Sequence, residues 1–138
     1  MVHTESLTLA TKGFCDIIDI SAEVADVVAR AGISDGTVTV FCPGSTCAVT
    51  TIEYESGVLR DLRRAIEELV PQGRDYEHDK RWGDGNGFSH VRAALLKPSL
   101  GIPLVGSRLA LGTWQQVVFL DFDNRDRRRE IVVQVVGE

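Results

Sequence analysis

Hydrophobic positions recur along this chain in two rhythms, one of period two and one close to 3.6. Residues 6–20, SLTLATKGFCDIIDI, alternate over short spans and read as two short strands joined at Lys12-Gly13. Val24, Val27, Val28 and Ala31 then recur at helical spacing, which predicts a helix over 22–31 with Ser21 as its N-cap and Gly32 as its stop. After the turn signal Asp35-Gly36, TVTVFC (37–42) alternates and is rich in β-branched residues, as a strand should be. Pro43-Gly44 turns the chain, and TCAVTTIEYE (46–55) reads as the strand paired with it. Val58, Leu59, Leu62, Ala65, Ile66 and Leu69 form the apolar stripe of a second helix over 57–70, with Pro71 just beyond it.

From Gln72 to Phe88 the rhythm disappears. This polar stretch is longer than most loops, and such loops are commonly functional or disordered. Tyr76 and Trp82 argue against disorder, and Trp82 with Phe88 is expected to pin the loop to the body or to a neighbouring subunit. SHVRAALL (89–96) predicts a short helix stopped by Lys97-Pro98. The remainder reads as strands (LGIPLV, RLALG, WQQVVFLDF and REIVVQVV) with turns at Gly106-Ser107 and Asp123-Asn124. The order β-β-α-β-β-α-α-β-β-β-β predicts one α+β domain, 1–138, with a largely antiparallel sheet, because connections this short make hairpins and not crossovers.

Composition narrows the classes of function. The 138 residues carry a formal net charge of -5, which opposes non-specific binding to nucleic acid or to an anionic membrane. No run approaches the roughly 18 apolar residues of a membrane helix. The start, MVHTESLTLATKG, has neither the basic flank nor the apolar core of a signal peptide, so the cytoplasm is the expected compartment. Of the three cysteines, Cys15 and Cys42 sit in apolar runs, where a thiol packs as a small hydrophobe. A turn brings Cys42 and Cys47 near each other, but nothing in the sequence requires a bond.

Candidate chemistry concentrates in HDKRWGDGNGFSH, residues 78–90. His78 and His90 flank it, and two imidazoles with a carboxylate can bind zinc or another transition metal. Two histidines alone are a weak signal, and a surface histidine with a helix-end histidine is the plain alternative. His3, near the start of the chain, is expected to lie in a frayed segment without function. Glu53 and Glu55 have strand spacing and share a face, while Asp61 follows near the start of the next helix. Their plain roles are a solvated sheet face and pairing with the helix dipole. Asp84-Gly85-Asn86-Gly87 can present backbone N–H groups to an anion, or form two ordinary turns. In NRDRRRE, Arg127 and Arg129 point one way and Arg128 the other; guanidinium groups suit phosphate, and they equally defend an edge strand. Ser45-Thr46-Cys47 lacks the frame of a nucleophile and has no base evident in the sequence.

Several short pieces occur in a fixed order: DISAEVADVV, DGTVTVF, a Thr-x-Ala strand with an acidic end, Tyr76-x-His78, Asn86, His90-x-x-Ala93, LGTWQ (111–115), the arginine-rich hairpin and a final VQVVG. This order resembles the YjbQ-like family, also called secondary thiamine-phosphate synthases, over nearly the whole chain. The resemblance implies a compact α+β fold with sandwich-like sheets and two to three helices, a homotrimer, and a polar site between subunits that can hold a metal. The family's His-Thr-[Thr/Ser]-Ala segment falls here on Ser45-Thr46-Cys47-Ala48, and its Asn-Glu pair on Glu53-Tyr54, which shifts the acid chemistry to Glu53 and Glu55. The first family histidine is therefore Ser45 in this chain, while the positions of Asp61, His78, Asn86 and His90 are kept.

The reading this implies is an enzyme that joins a phosphorylated pyrimidine to a phosphorylated thiazole with loss of pyrophosphate. His78, His90, Glu53, Glu55 and Asp61 are its candidate catalytic groups. Asn86, Thr46, Gln115, Arg127 and Arg128 are its candidate contacts to a small phosphorylated metabolite. A divalent metal, zinc or magnesium, would be held by His78 and His90, with Glu53 replacing the missing imidazole. Two alternatives remain open: a metal-dependent hydrolase of a small anionic substrate, and a non-catalytic trimeric metabolite-binding protein.

Overall fold

A computed structural model describes residues 1–138. The chain runs β1 (Val2–Thr11), β2 (Asp16–Asp19), α1 (Ser21–Ala31), β3 (Gly36–Phe41), β4 (Cys47–Ile52), α2 (Ser56–Leu69), α3 (Glu77–Trp82), α4 (Gly87–Leu96), β5 (Ser99–Val105), β6 (Arg108–Leu109), β7 (Gln116–Asp121) and β8 (Arg127–Gly137). The fold is α+β. All its strand pairs are antiparallel, in a five-stranded sheet of order β1-β8-β3-β5-β6 and a three-stranded sheet of order β2-β7-β4.

The two sheets and the helices form layers. One core lies between the sheets and against α1, where Val38, Val40, Ile131 and Val133 of the larger sheet meet Val49, Val117 and Phe119 of the smaller one. A second core lies behind the smaller sheet, where Val118 and Leu120 pack with Leu59 and Ile66 of α2 and Ala93 of α4. Successive side chains of β7 therefore enter opposite cores, and the strand is buried on both faces. Such a strand reads as an unbroken apolar run, which VVFL is.

Several sequence expectations change. The 46–55 segment does not pair with β3, because β5 and β8 take both edges of that strand. The turn after Phe41 instead carries the chain across to the smaller sheet, where β4 pairs with β7. Across that turn Cys42 and Cys47 form a disulfide pair, with their Cα atoms 6.7 Å apart. Cys15 stays free and buried, and burial pushes its thiol pKa up.

The long polar stretch contains an unpredicted helix, α3, whose polar sequence offers no apolar stripe to betray it. Ser21 is the first residue of α1 and not its cap. Its hydroxyl accepts the N–H of Val117 in the neighbouring sheet, and Ile20 starts the helix without a side-chain cap. β1 begins at Val2, so the N-terminal segment is a paired strand, and His3 sits opposite Val135 with its ring 2.8 Å from Glu5. Trp82 does not pin the loop within one chain, being 66% exposed, whereas Phe88 is buried and stacks on Phe14.

Candidate functional site

The Cys47–Asp121 end of the β4–β7 pair is the most heavily networked part of the molecule. Asp121 and Asp123 are both fully buried. The Asp121 carboxylate accepts from the Thr11 hydroxyl, from the Arg129 guanidinium at 2.7 and 3.0 Å, and from the N–H of Asp123. Arg129 also donates to the Thr46 hydroxyl at 2.7 Å, and its bond to Asp121 holds its pKa above the ordinary arginine value. Asp123 accepts from Asn86 Nδ2 at 3.3 Å, from the N–H of Asn124, and from Arg127 Nε at 2.6 Å. Burial alone would raise the Asp123 pKa, but the donors from Asn124, Arg127 and Asn86 outweigh it and hold the carboxyl below its usual range. Two buried acids are thus each paired with a partly exposed arginine, the condition under which buried charge is tolerated.

Above this network, α3 and α4 bring the histidines together. The His78 and His90 rings lie 4.5 Å apart between centroids. His78 Nδ1 is 3.3 Å from Asp84 Oδ1 and 3.6 Å from Asp79 Oδ1, yet it is buried without a hydrogen-bond partner. Asp79 is fixed in turn by the N–H of Gly87 at 2.8 Å. Gly87 permits this approach, since a Cβ there would lie 2.6 Å from Cβ of Tyr76. The donor atoms of His78, Asp79 and Asp84 all lie within 4.8 Å of one another. A nitrogen with two carboxylate oxygens suits zinc or a similar transition ion better than magnesium, which prefers oxygen alone. The unpartnered His78 nitrogen fits such an ion.

Asp84 also borders a cavity of about 310 Å³ whose other walls are Asn86, Asn124, Arg125 and Arg127, all polar. Asn86 is buried and its Oδ1 has no partner, so an acceptor is left over at this cavity. A second cleft, of about 270 Å³, opens beside His90 and is walled by Ser45, Cys47 and Pro98 among others. Ser45, at the position of the missing family histidine, therefore shares a cleft with His90.

The other expected residues lie elsewhere. Glu53 and Glu55 follow the far end of β4, which at about 3.3 Å per residue is about 17 Å from Cys47. Neither completes a site with His78 and His90 within one chain. Glu55 caps α2, accepting the N–H groups of Gly57 and Val58 at 2.7 and 2.9 Å, and these bonds lower its pKa. Asp61 is an exposed partner of Arg64. Gln115 bonds Gly112 and Thr51 at the same far end. Arg128 points outward and Arg127 and Arg129 inward, as strand alternation requires. In the 84–87 segment the N–H of Gly87 is taken by Asp79 and is not free for an anion. The sequence does not mark Asp79, Asp121, Asp123 or Thr11 as site residues, and Arg129 enters it only as one guanidinium of the charged hairpin. Asp79 adjoins His78 in sequence, and a buried LDFD run followed by arginines was the available signal for the others.

A single domain with this two-sheet fold and this acid–arginine–histidine cluster defines a class of protein, and comparison specifies it. Residues 5–138 match the family described as UPF0047 protein YjbQ-like, and the chain belongs to that family. A UPF0047 protein of Archaeoglobus fulgidus is 42% identical over 91% of this chain and 96% of its own length. Another from Methanothermobacter thermautotrophicus is 37% identical over 99% and 94%. The crystal structure of a YbjQ-like protein from Sulfolobus solfataricus superposes with a TM-score of 0.95 at 28% identity, covering 100% of this chain and 99% of that one.

Proposed function

We infer that this chain is a metal-assisted enzyme acting on a small phosphorylated substrate. Its specific reaction is taken to be the one the family resemblance implies: joining a pyrimidine pyrophosphate to a thiazole phosphate, with release of pyrophosphate. The observation that carries this reading is the single place where three metal-competent donors, His78, Asp79 and Asp84, border a cavity walled by Arg125, Arg127, Asn86 and Asn124. Asp84 belongs to both. His78, Asp79 and Asp84 would hold a divalent ion, which would supply positive charge beside the departing pyrophosphate. Arg125 and Arg127 bind phosphate oxygens, and Asp123 orients Arg127. Asn86 Oδ1 accepts from a donor on the substrate, and His90 stands beside His78 as the acid–base group.

The same groups serve a hydrolase of a small anionic substrate, and the solvent-open carboxylate of Asp84 favours this as the second reading. We propose a homotrimer, as the family resemblance implies; large exposed apolar side chains such as Trp82, Trp114, Leu95 and Val105 support burial of surface in an assembly. No helix is long and apolar enough to cross a membrane, and a cytoplasmic enzyme is the reading adopted.

The test is an assay of purified protein with the pyrimidine pyrophosphate and thiazole phosphate, across zinc, manganese and magnesium. Pyrophosphate release that requires both substrates supports the synthase. Release of phosphate or pyrophosphate from one substrate alone supports the hydrolase. Stoichiometric binding without turnover under all metals reduces the protein to a binding module and overturns the enzyme reading.

A further inference from the structure

The turn between the two sheets carries chemistry that the proposed reaction does not use. Cys42 and Cys47 face each other across Pro43–Thr46, with a Cα separation of 6.7 Å, inside the range a disulfide spans. Their surroundings differ. Cys42 is sealed in the core between the sheets, and its N–H is held by the carbonyl of Pro98. Cys47 is also buried, but its residue walls the cleft of about 270 Å³ that it shares with Ser45 and His90. Gly44 leans over the sulfur: a Cβ at that position would come within 3.0 Å of Cys47 Sγ. A side chain there would crowd the sulfur on the side the turn leaves open. Of the bonded pair, only Cys47 borders a cleft, and Cys42 is reached through it.

We propose that Cys42 and Cys47 are a redox modification site, in which a low-molecular-weight disulfide such as oxidised glutathione enters the His90 cleft and closes the pair. Cys47 loses its proton to water, and its thiolate attacks one sulfur of the incoming disulfide. A mixed disulfide forms at Cys47 and one glutathione thiolate leaves, taking up that proton. The thiol of Cys42 then attacks Cys47 Sγ, the mixed bond breaks, and the second glutathione leaves with the Cys42 proton. The protein is oxidised by two electrons and one disulfide is reduced to two thiols. A reducing compartment holds the pair open, and an oxidising one closes it.

The modification bears on the candidate site by position. The turn it closes carries Ser45, on the cleft wall beside His90, and Thr46, whose hydroxyl receives Arg129 and whose carbonyl receives the N–H of Phe122. The inference itself does not depend on the reaction proposed above.

Intact-mass measurement of the full-length protein tests it. The protein is first reduced with dithiothreitol, then incubated under native conditions with oxidised glutathione. The wild type is expected to become lighter by two hydrogens, to carry no glutathione, and to return to the starting mass on renewed reduction. Cys42→Ser is expected to trap one glutathione on Cys47, and Cys47→Ser to remain unmodified at Cys42. Circular dichroism confirms that each variant is folded, and the wild-type result stands without them. A wild type whose mass is unchanged under these conditions, or a Cys47→Ser protein that captures glutathione at Cys42 as readily as Cys42→Ser does at Cys47, overturns the proposal.

Discussion

At the Cys47–Asp121 end of the β4–β7 pair, polar side chains from β1, β7, β8 and α4 are buried together and satisfy one another across long sequence separations. At the Ile52–Gln116 end the polar side chains are exposed and mostly serve local needs: Glu55 caps the helix that follows it, and Gln115 closes its own turn. Both ends hold carboxylates. Only the first leaves buried polar atoms without partners, His78 Nδ1 and Asn86 Oδ1. The difference teaches that the number of acids near a strand end says little about a site. What marks one is polar capacity that folding has buried and left unspent.

The largest effect should come from breaking the buried pair beneath the site. Asp121→Asn leaves Arg129 without its main partner, and a loss of about 3–5 kcal/mol in chemical-denaturation stability is expected. A loss below about 1 kcal/mol would mean that the network is dispensable.

Next, His78→Ala and His90→Ala should each lower turnover about 100-fold or more while leaving the melting temperature near the wild-type value. Glu53→Gln and Gln115→Ala, at the other end, should change turnover less than about twofold, since neither touches the cluster. Equal losses at both ends would erase the distinction drawn above.

Acid should act on the first end as well. The folded Asp123 carboxyl is held below its ordinary value, so its stabilisation is complete above the unfolded pKa of about 4 and is lost as pH falls through the lower folded value. Glu5, held down to about 2 by Arg30 and then His3, acts in the same direction at the surface. The melting temperature should be flat above about pH 5 and fall below about pH 4, and Asp123→Asn should show a shallower fall from a lower plateau.

The smallest effect belongs to Glu55→Ala. It removes a helix cap, and should lower the melting temperature slightly with no change in turnover.

Much of the fold was legible because it follows from periodicity. The helices α1, α2 and α4 and the apolar run of β7 sit where their spacing placed them. Helix α3 was not legible, since a six-residue polar helix has no buried face to impose a pattern. The partner of β4 was not legible either, because alternation fixes which face of a strand is buried and not which strand lies beside it. Of the site, His78, His90, Asn86 and Arg127 could be named from a dense polar stretch and a charged hairpin. Asp121 and Asp123 hid inside what reads as a core strand, where their neighbours are Leu120 and Phe122. Glu53 and Glu55 looked like site acids because strand spacing put them on one face, and spacing carries no information about which end of the strand faces the histidines.

The most direct test of the account is calorimetric titration of metal-free protein with zinc, comparing wild type, Asp84→Asn and Glu53→Gln. One ion per chain is expected for the wild type and for Glu53→Gln, with affinity reduced about 10-fold or more in Asp84→Asn. Unchanged binding in Asp84→Asn, or loss of binding in Glu53→Gln, would contradict the placement of the site between α3 and α4.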